Sequence, residues 1–455
     1  MRLVFLQICC LLWIVCQGQK SIKITGLPNQ TFDIYEGWIY SANDTQSQIY
    51  YQLNTAKNTN INASSNIPII LYLAGGPGAS STMTLFAEIG PYGVDSNYDF
   101  SKPNLSNLTL TLVPREVSWN NNYHLLTIDS PVNTGYSYSL NNSFATTTDQ
   151  ASAQLINFLS QFYDLYPNLV SNPLYLAGRS YGGHWASNLA YLIAKNQYYV
   201  GNKKVSLKGT LYLDGLMDLS TQQRWADLYY ASGSTEQYHR DAIRAAELKN
   251  RMECWEGNYK TASYGFTDLG SYIMHQATPG LIVNNIRQFG YNGGGSSFEA
   301  VSADQGASLF LSLNWTNITT ARTVFKVPTN LTFYSSFSTT VYSFFDSGDL
   351  AKNFTYAIEY LLNQELKVGF TGGQDDGNLG YYGLIEYVNE LSWPHIKSFR
   401  KSEKQFLYAP NNTIIGNYKS YKNLKLYSVY KAGHLGTLDQ PVSMFTILTQ
   451  FVNSV

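Results

Sequence analysis

The chain is poor in cysteine: its 455 residues contain four, at positions 9, 10, 16 and 254. Three of these fall in an apolar segment at the amino terminus, so only Cys254 lies beyond that segment. A single cysteine cannot form a disulfide within one chain, which excludes a disulfide-stapled fold. Stability must therefore come from the burial of apolar surface, for which a chain of this length has enough interior.

Charge is also scarce. Charged residues make up 13% of the chain, and 30 Lys and Arg nearly balance 31 Asp and Glu. This balance argues against nucleic acid or an anionic membrane surface as a partner. Tyrosine, by contrast, is abundant at 37 residues, which is typical of an ordered globular chain rather than a disordered one.

Long hydrophobic runs are missing after the amino terminus. Residues 3–16 are apolar except for Gln7, follow a basic Arg2 and precede a small Gly18, but the run is shorter than the ~20 residues needed to cross a bilayer. This pattern predicts a signal peptide over residues 1–18, no membrane span, and a mature chain that is lumenal or extracellular. Sequons then predict N-glycans; they lie at Asn29, Asn43, Asn62, Asn104, Asn107, Asn141, Asn314, Asn317, Asn330, Asn353 and Asn411.

Short apolar runs bounded by glycine predict buried strands at 67–78, 123–131, 173–180 and 207–215. Between the second and third runs, residues 146–167 place apolar side chains at helical spacing. Strands that alternate with helices predict an α/β fold with a mostly parallel central sheet flanked by helices.

The alternation stops in the middle of the chain. Residues 219–321 are polar and irregular, with a possible helix at 241–252 and a glycine tract at 291–297, and regular α/β pattern returns at 352–373 and 423–434. We therefore expect one sheet domain interrupted by an insertion. Such an insertion would lie over the carboxyl edge of the sheet, where open α/β folds bind ligands.

The pentapeptide Gly178-Arg-Ser180-Tyr-Gly182 fits a nucleophile elbow, in which a serine occupies a strained turn between a strand and a helix. The five residues alone are a weak signal, but an apolar strand precedes them and a helical pattern follows. A second backbone donor for an oxyanion, besides Tyr181, is expected from the glycine-rich loop at 73–81. Phosphate binding by this loop is disfavoured because no Lys-Ser/Thr pair follows it.

A serine nucleophile needs a histidine base, which follows it in chain order in this fold. His434, in a tight loop after an apolar strand, is favoured over His395, which lies in a polar turn. His184 lies one helical turn beyond Ser180, so we expect it to pack or to form hydrogen bonds there.

The orienting acid should end the preceding strand. Asp375 and Asp376 both meet this requirement, and the residues themselves do not choose between them. A third carboxylate, Asp349, precedes a helical pattern and is interpreted as an N-terminal cap.

With these residues in place, the chain resembles the serine carboxypeptidase family, which has the α/β-hydrolase fold and needs no metal or cofactor. The matching blocks follow the family's order, and they lie at residues 73–91, 118–139, 176–190, 213–222, 373–394 and 432–441. The resemblance implies Asp376 as the acid, since its spacing to a later glycine and Trp-Pro is that of the Gly-Gln-x-Asp type. It also implies Gly76 and Tyr181 as oxyanion donors. The domain limits it implies are 19–218 and 326–455 for the sheet domain and 219–325 for an inserted cap.

Recognition of the substrate carboxylate is where the chain departs from the family. The resemblance places Ala74 and Arg179 where the family has an asparagine and a glutamate, whereas Gly75 and a second glutamate, Glu88, persist. In one interpretation Arg179 binds the substrate carboxylate by charge-assisted hydrogen bonds, so binding does not require acid. In the other, Arg179 pairs with Glu88 and has no charged group left to bind the substrate carboxylate.

The expected function is a secreted or lysosomal serine carboxypeptidase that acts on peptide or protein C-termini through Ser180, Asp376 and His434. Ala74 favours an alternative, an acyltransferase or esterase of the same fold. An inactive secreted binding protein is a third possibility, against which the complete triad argues.

Overall fold

The computed structural model describes residues 21–41, 46–62, 66–97, 109–288 and 337–454. The predicted signal peptide, the glycine tract and the sequons at 43, 104, 107, 314, 317 and 330 lie outside these residues. The strands are β1 Ile22–Ile24, β2 Ile34–Tyr40, β3 Ser47–Asn54, β4 Ile69–Leu73, β5 Tyr92–Ser96, β6 Leu110–Pro114, β7 His124–Ile128, β8 Tyr138–Ser139, β9 Pro173–Arg179, β10 Tyr199–Val200, β11 Lys203–Lys204, β12 Ser206–Leu213, β13 Lys367–Gly373, β14 Gln405–Tyr408, β15 Ile414–Tyr421 and β16 Leu424–Val429. The α-helices are α1 Ser81–Thr84, α2 Thr148–Leu165, α3 Gly182–Lys195, α4 Leu219–Gln222, α5 Trp225–Ala231, α6 Gln237–Trp255, α7 Tyr259–Tyr272, α8 Thr339–Asp346, α9 Thr355–Asn363, α10 Tyr381–Glu390, α11 Ile396–Lys401, α12 Gly436–Asp439 and α13 Pro441–Asn453.

A 12-stranded sheet in the order β1-β2-β3-β7-β4-β9-β12-β13-β16-β15-β14 forms the centre of the molecule, with β8 paired to β3. The strands from β7 to β16 run parallel to their neighbours. Antiparallel strands complete both sides. The four apolar runs predicted as strands are β4, β7, β9 and β12, so the predicted α/β-hydrolase architecture is confirmed.

Side chains of the central strands point alternately to the two faces of the sheet, and both faces are covered by helices. In β4, Ile69 and Leu71 join the apolar cluster on one face, whereas Ile70 joins the cluster on the other. The first cluster includes Leu155 of α2, and the second includes Phe451 of α13. Because every residue of β4 is buried, its sequence is continuously apolar rather than alternating.

The segment between β12 and β13 differs from expectation. We call residues 219–288, the described part of the predicted insertion, the cap segment. It is largely helical, from α4 to α7: the possible helix predicted at 241–252 lies within α6, and the prediction of irregular structure is wrong for the other helices. The buried residues of α7 are Ala262, Ser263 and Leu269, and those of α6 include the polar Glu247 and Asn250. The apolar periodicity that normally indicates a helix is therefore weak.

The cap segment has its own apolar cluster, built around Trp225, Tyr229, Leu269 and Ile273. Among the described residues, no helix combines the length and the apolar character that crossing a bilayer requires.

Candidate active site

Ser180 lies in the turn between β9 and α3, with a backbone φ of 55°. Its N–H donates to the carbonyl oxygen of Leu213 at 3.1 Å, which ties the turn to the neighbouring strand β12. The glycine loop after β4 closes against this turn: a side-chain carbon on Gly75 would lie 2.5 Å from the Arg179 carbonyl oxygen and 2.7 Å from the Tyr181 nitrogen. Only glycine permits this approach, so the sequence pattern Gly-x-Ser-x-Gly and the glycine loop form one unit.

His434 follows β16, and its Nδ1 lies 2.9 Å from Oδ2 of Asp376, which follows β13. Asp376 is fully buried, and its Oδ1 accepts hydrogen bonds from the backbone N–H groups of Asn378 at 2.7 Å and Leu379 at 3.0 Å. Such bonds fix the carboxylate, which in turn fixes the ring orientation of the histidine. The neighbouring Asp375 instead pairs with Arg287 at 2.6 Å.

One cavity at the carboxyl edge of the sheet collects most of the predicted site residues. It is lined by Gly75, Gly76, Arg179, Ser180, Tyr181 and His434. Parallel strands end at the same edge of a sheet, which is why positions far apart in sequence meet there.

His184 was expected to pack or to form hydrogen bonds beyond the elbow, and it does both. It is fully buried, with Nδ1 2.7 Å from the carbonyl oxygen of Leu216 and Nε2 3.1 Å from that of Lys352. Burial lowers the pKa of His184 below its ordinary value. His395 lies elsewhere, with Nε2 3.0 Å from Nζ of Lys422.

The interpretation of Asp349 as a cap of its own helix is wrong. The turn that it opens, Asp349–Ala351, has no side-chain cap. Its carboxylate instead accepts from the backbone N–H of Thr148 at 2.8 Å, at the start of α2, and from the hydroxyl of Tyr181 at 2.7 Å. Burial alone would raise the pKa of Asp349, but the hydrogen bonds from Thr148, Tyr181 and Lys352 outweigh burial and lower the pKa. Asp349 thus joins two elements that are distant in sequence, which local pattern does not reveal.

Arg179 forms a buried ion pair with Glu88, with 2.5 Å between Nη1 and Oε1 and side-chain exposures of 4% and 0%. The other Glu88 oxygen accepts from the hydroxyl of Thr437, and Arg179 Nη2 lies 3.4 Å from that of Thr84. Burial alone would lower the pKa of Arg179, but the charge of Glu88 offsets burial and holds the pKa above its ordinary value. The structure therefore contains the pair of the second interpretation, although Arg179 still lines the cavity.

The cap segment supplies the opposite wall of the cavity, and this wall is aromatic and apolar. It includes Trp225, Tyr229, Phe266, Ile273 and Met274. Within the described residues, no aspartate or glutamate lines the cavity, whose basic groups are Arg179 and His434.

Two aromatic side chains of the cap segment also hold the loop after Asp376. The indole of Trp225 donates to the carbonyl oxygen of Asn378 at 2.7 Å, and the hydroxyl of Tyr229 donates to that of Gly377 at 2.8 Å. Sequence reasoning missed both contacts, because a side chain bonded to a distant carbonyl leaves no motif.

A short stretch near the end of the cap segment was also missed. The carbonyl oxygen of Val283 accepts from the N–H of Gly377 at 2.9 Å, and that of Asn284 accepts from the N–H of His434 at 2.6 Å. One stretch of backbone therefore holds both the loop of Asp376 and the loop of His434.

A serine on a strand-to-helix turn, a histidine bonded to a buried aspartate and a parallel sheet beneath them define an α/β hydrolase. A profile of the serine carboxypeptidase family matches residues 26–454, so this chain belongs to that family. The chain is 29% identical over 422 residues to serine carboxypeptidase S10 family member 1 of Dictyostelium discoideum, covering 89% of this chain and 93% of the relative. It is 27% identical over 394 residues to carboxypeptidase Y of Komagataella phaffii, covering 85% of this chain and 71% of the relative.

A solved structure shares the fold. It is Kex1(delta)p, described as a prohormone-processing carboxypeptidase from Saccharomyces cerevisiae, with a TM-score of 0.78 at 18% identity, covering 95% of this chain and 96% of that one. The family and the fold confirm the prediction of a serine carboxypeptidase.

Proposed function

We propose that this chain removes C-terminal residues from peptides through an acyl-enzyme formed on Ser180. His434 takes the proton of the serine hydroxyl and then gives it to the leaving amine, while Asp376 orients the imidazole and stabilises its cation. The observation that carries this proposal is the 2.9 Å contact between His434 and Asp376, beside a cavity that Ser180 also lines. Water then attacks the acyl-enzyme. His434 takes a proton from this water and returns it to Ser180 as the acyl group leaves.

The oxyanion of the tetrahedral intermediate is proposed to lie between the backbone N–H groups of Gly76 and Tyr181. The close approach of the glycine loop to the Tyr181 nitrogen supports this role, since two donors must converge on one oxygen.

The substrate carboxylate is proposed to meet Arg179, with Glu88 holding the guanidinium in place and Gly75 adding a backbone donor. An arginine has five N–H donors, and the bond to Glu88 uses one of them. Each charge-assisted hydrogen bond to the carboxylate is worth roughly 1.5 to 3 kcal/mol. A cavity whose described lining has no carboxylate does not repel an anionic chain end.

Arg179 keeps its charge at every pH that the enzyme meets, because Glu88 holds its pKa above the ordinary value. A pair of carboxyl groups that share a proton would bind an anion only in acid. We therefore expect hydrolysis to persist toward neutral pH.

The compartment and the domain limits belong to the same proposal. A signal peptide at 1–18 would direct the chain to the secretory pathway, with N-glycans, and the enzyme would act outside the cell or in a lysosome or vacuole. The cap is proposed to span residues 219–325, between the two parts of the sheet domain.

A second candidate, ester cleavage or acyl transfer, is favoured by Ala74 and by the engagement of Arg179 with Glu88. Both features weaken recognition of a free carboxylate without affecting the triad. The two candidates differ in the group that leaves, not in the nucleophile.

The test compares hydrolysis of a blocked dipeptide with that of its C-terminal amide and of a matched methyl ester. We expect a preference for the free acid of about 10-fold or more in kcat/KM. Equal rates on acid and amide, or activity on the ester alone, would favour the second candidate. Labelling by a fluorophosphonate, with Ser180→Ala as the control, tests the nucleophile separately: folded protein that fails to label refutes both.

A further inference from the structure

A second buried carboxyl lies behind the proposed triad. Asp214 follows β12 directly, is 2% exposed and has a φ of 45°, which a non-glycine residue rarely adopts. Its Oδ1 accepts a hydrogen bond from the N–H of Gly373 at 2.6 Å, and its own N–H donates to the carbonyl oxygen of Thr371 at 3.0 Å. Both contacts hold it against the last residues of β13, just before Asp376.

The carboxyl of Asp214 faces the turn that carries Asp376. Gly373, whose N–H bonds to Asp214, accepts at its carbonyl oxygen from the N–H of Asp376 at 3.3 Å, and the two buried carboxyls interact by charge and hydrogen bonding. Two carboxylates this close in a dry site cannot both ionise, so the pair retains a proton. Asp376 already accepts two backbone N–H bonds and faces His434, whereas Asp214 accepts one backbone bond. The more extensively bonded Asp376 is the better site for the negative charge, which leaves the proton on Asp214.

We propose that Asp214 is a positioning residue for the proposed triad, a neutral carboxylic acid whose O–H donates to Asp376 and holds that carboxylate against His434. The inference rests on the proposed function, since it assigns a role relative to Asp376 and His434. Asp214 is not among the residues that line the cavity, so it acts through its neighbour.

The surroundings of Asp214 agree with this protonation. Burial and the charge of Asp376 raise its pKa well above the ordinary value, and the charge of Asp439 acts in the same direction. The charge of Arg179, at the end of β9, also acts on Asp214 and favours its charged form, so it opposes these effects. A donor on Asp376 also makes that carboxylate less basic, so the proton that His434 takes from Ser180 stays on the imidazole.

The test uses two variants and the pH profile of kcat/KM, whose acidic limb reports the pKa of His434. In Asp214→Ala, Asp376 loses a donor and becomes more basic, so the acidic limb moves up by roughly 0.5 to 1 pH unit. We also expect kcat to fall about 10-fold or more with little change in KM, because the acid is no longer held. Asp214→Asn keeps a donor toward Asp376 and an acceptor toward Gly373, so it restores both the limb and most of the activity.

Two results would overturn the proposal. If the limb moved down in both variants, Asp214 would be a charged residue in the native enzyme. If Asp214→Ala lost activity with no movement of the limb, its role would be structural only. Fluorophosphonate labelling of the unaltered enzyme distinguishes these results from failure of the proposed function, because labelling does not depend on the state of Asp214. Should Asp214→Ala not fold, the limb in Asp214→Asn alone decides between a neutral and a charged residue.

Discussion

The sheet domain and the cap segment contribute to the cavity in different ways. The edge of the sheet carries buried charges, each held by specific partners: Arg179 with Glu88, Asp376 with His434, and Asp349 with Tyr181. The cap segment presents aromatic and apolar side chains to the same space. We expect the fixed charges to determine which reaction is possible and the apolar wall to determine which substrate fits. Reaction and selectivity should therefore be separable by mutation.

The largest effect is expected at Asp376, the proposed acid, on the sheet side. Asp376→Asn keeps the volume of the side chain but presents the wrong group to His434, so we expect kcat to fall about 10⁴-fold with the fold intact. The measurement is steady-state hydrolysis of a blocked dipeptide. The adjacent Asp375→Asn is the matched control, since Asp375 pairs with the half-exposed Arg287, and it should change kcat less than about threefold. Equal losses in the two variants would contradict the assignment of Asp376.

The next largest effect concerns the buried ion pair. Arg179→Met leaves Glu88 charged in the interior without its cation, so we expect the free energy of unfolding to fall by about 3 to 5 kcal/mol. The double variant Arg179→Met with Glu88→Leu removes both charges and should regain most of that stability, while neither variant prefers a free acid over an amide.

Denaturant unfolding and the ratio of acid to amide hydrolysis measure the two consequences. Arg244→Met is the control for stability, because Arg244 is 41% exposed and its pair with Asp227 should contribute less than about 1 kcal/mol. A double variant that still preferred the free acid would place carboxylate recognition elsewhere.

On the cap side, substitution should alter selectivity without altering the nucleophile. The wall of the cavity is apolar, and none of its described lining residues is an aspartate or glutamate. We therefore expect the enzyme to prefer substrates with aromatic or large apolar side chains over those with lysine or arginine. Phe266→Ala should lower kcat/KM for an aromatic substrate by about 10-fold and leave fluorophosphonate labelling of Ser180 unchanged. Tyr264→Ala, on the same helix but 44% exposed, should change neither. Slower labelling of Phe266→Ala would mean that the cap segment also controls the chemistry.

The smallest effect is on the pH dependence of the free energy of unfolding, which should differ between the cap segment and the sheet domain. Burial raises the pKa of Glu247, in α6, to about 7, whereas the pKa of Asp349 in the sheet domain is lowered. Between pH 4.5 and 7, Glu247 is protonated in the folded protein and ionised in the unfolded chain. The stability that this proton adds to the folded protein is therefore present in acid and is lost as the pH rises. The stability that Asp349 contributes changes with pH in the opposite direction: it is present at neutral pH and is lost as the pH falls through the pKa of the folded protein.

Glu247→Gln keeps the acceptor for the N–H of Ala226 and removes the titration. We expect it to raise the free energy of unfolding at pH 7 by about 1 to 2 kcal/mol and to have no effect near pH 4. Equal stabilisation at both pH values would contradict the role of the charge. Thermal unfolding across this range is the measurement.

Local pattern predicted much of the sheet domain. The four glycine-bounded apolar runs are strands because both of their faces are buried, and the helix expected at 146–167 is α2, Thr148–Leu165. In the cap segment it predicted only a possible helix at 241–252, which lies within α6, because the buried faces of α6 and α7 include the polar residues Glu247, Asn250 and Ser263. Polar residues on a buried face remove the signal on which a pattern depends.

The elbow and the His434 loop carry local signatures that the sequence by itself determined, because a strained turn or a strand end restricts the residues that fit it. The strand end before the acid offered both Asp375 and Asp376, and only the resemblance to the family favoured Asp376. The partners of Arg179, Asp349 and Asp214 were decided only by the tertiary structure. Each of these side chains meets a group far away in the chain, and the free energy of a buried charge depends on that group rather than on sequence neighbours.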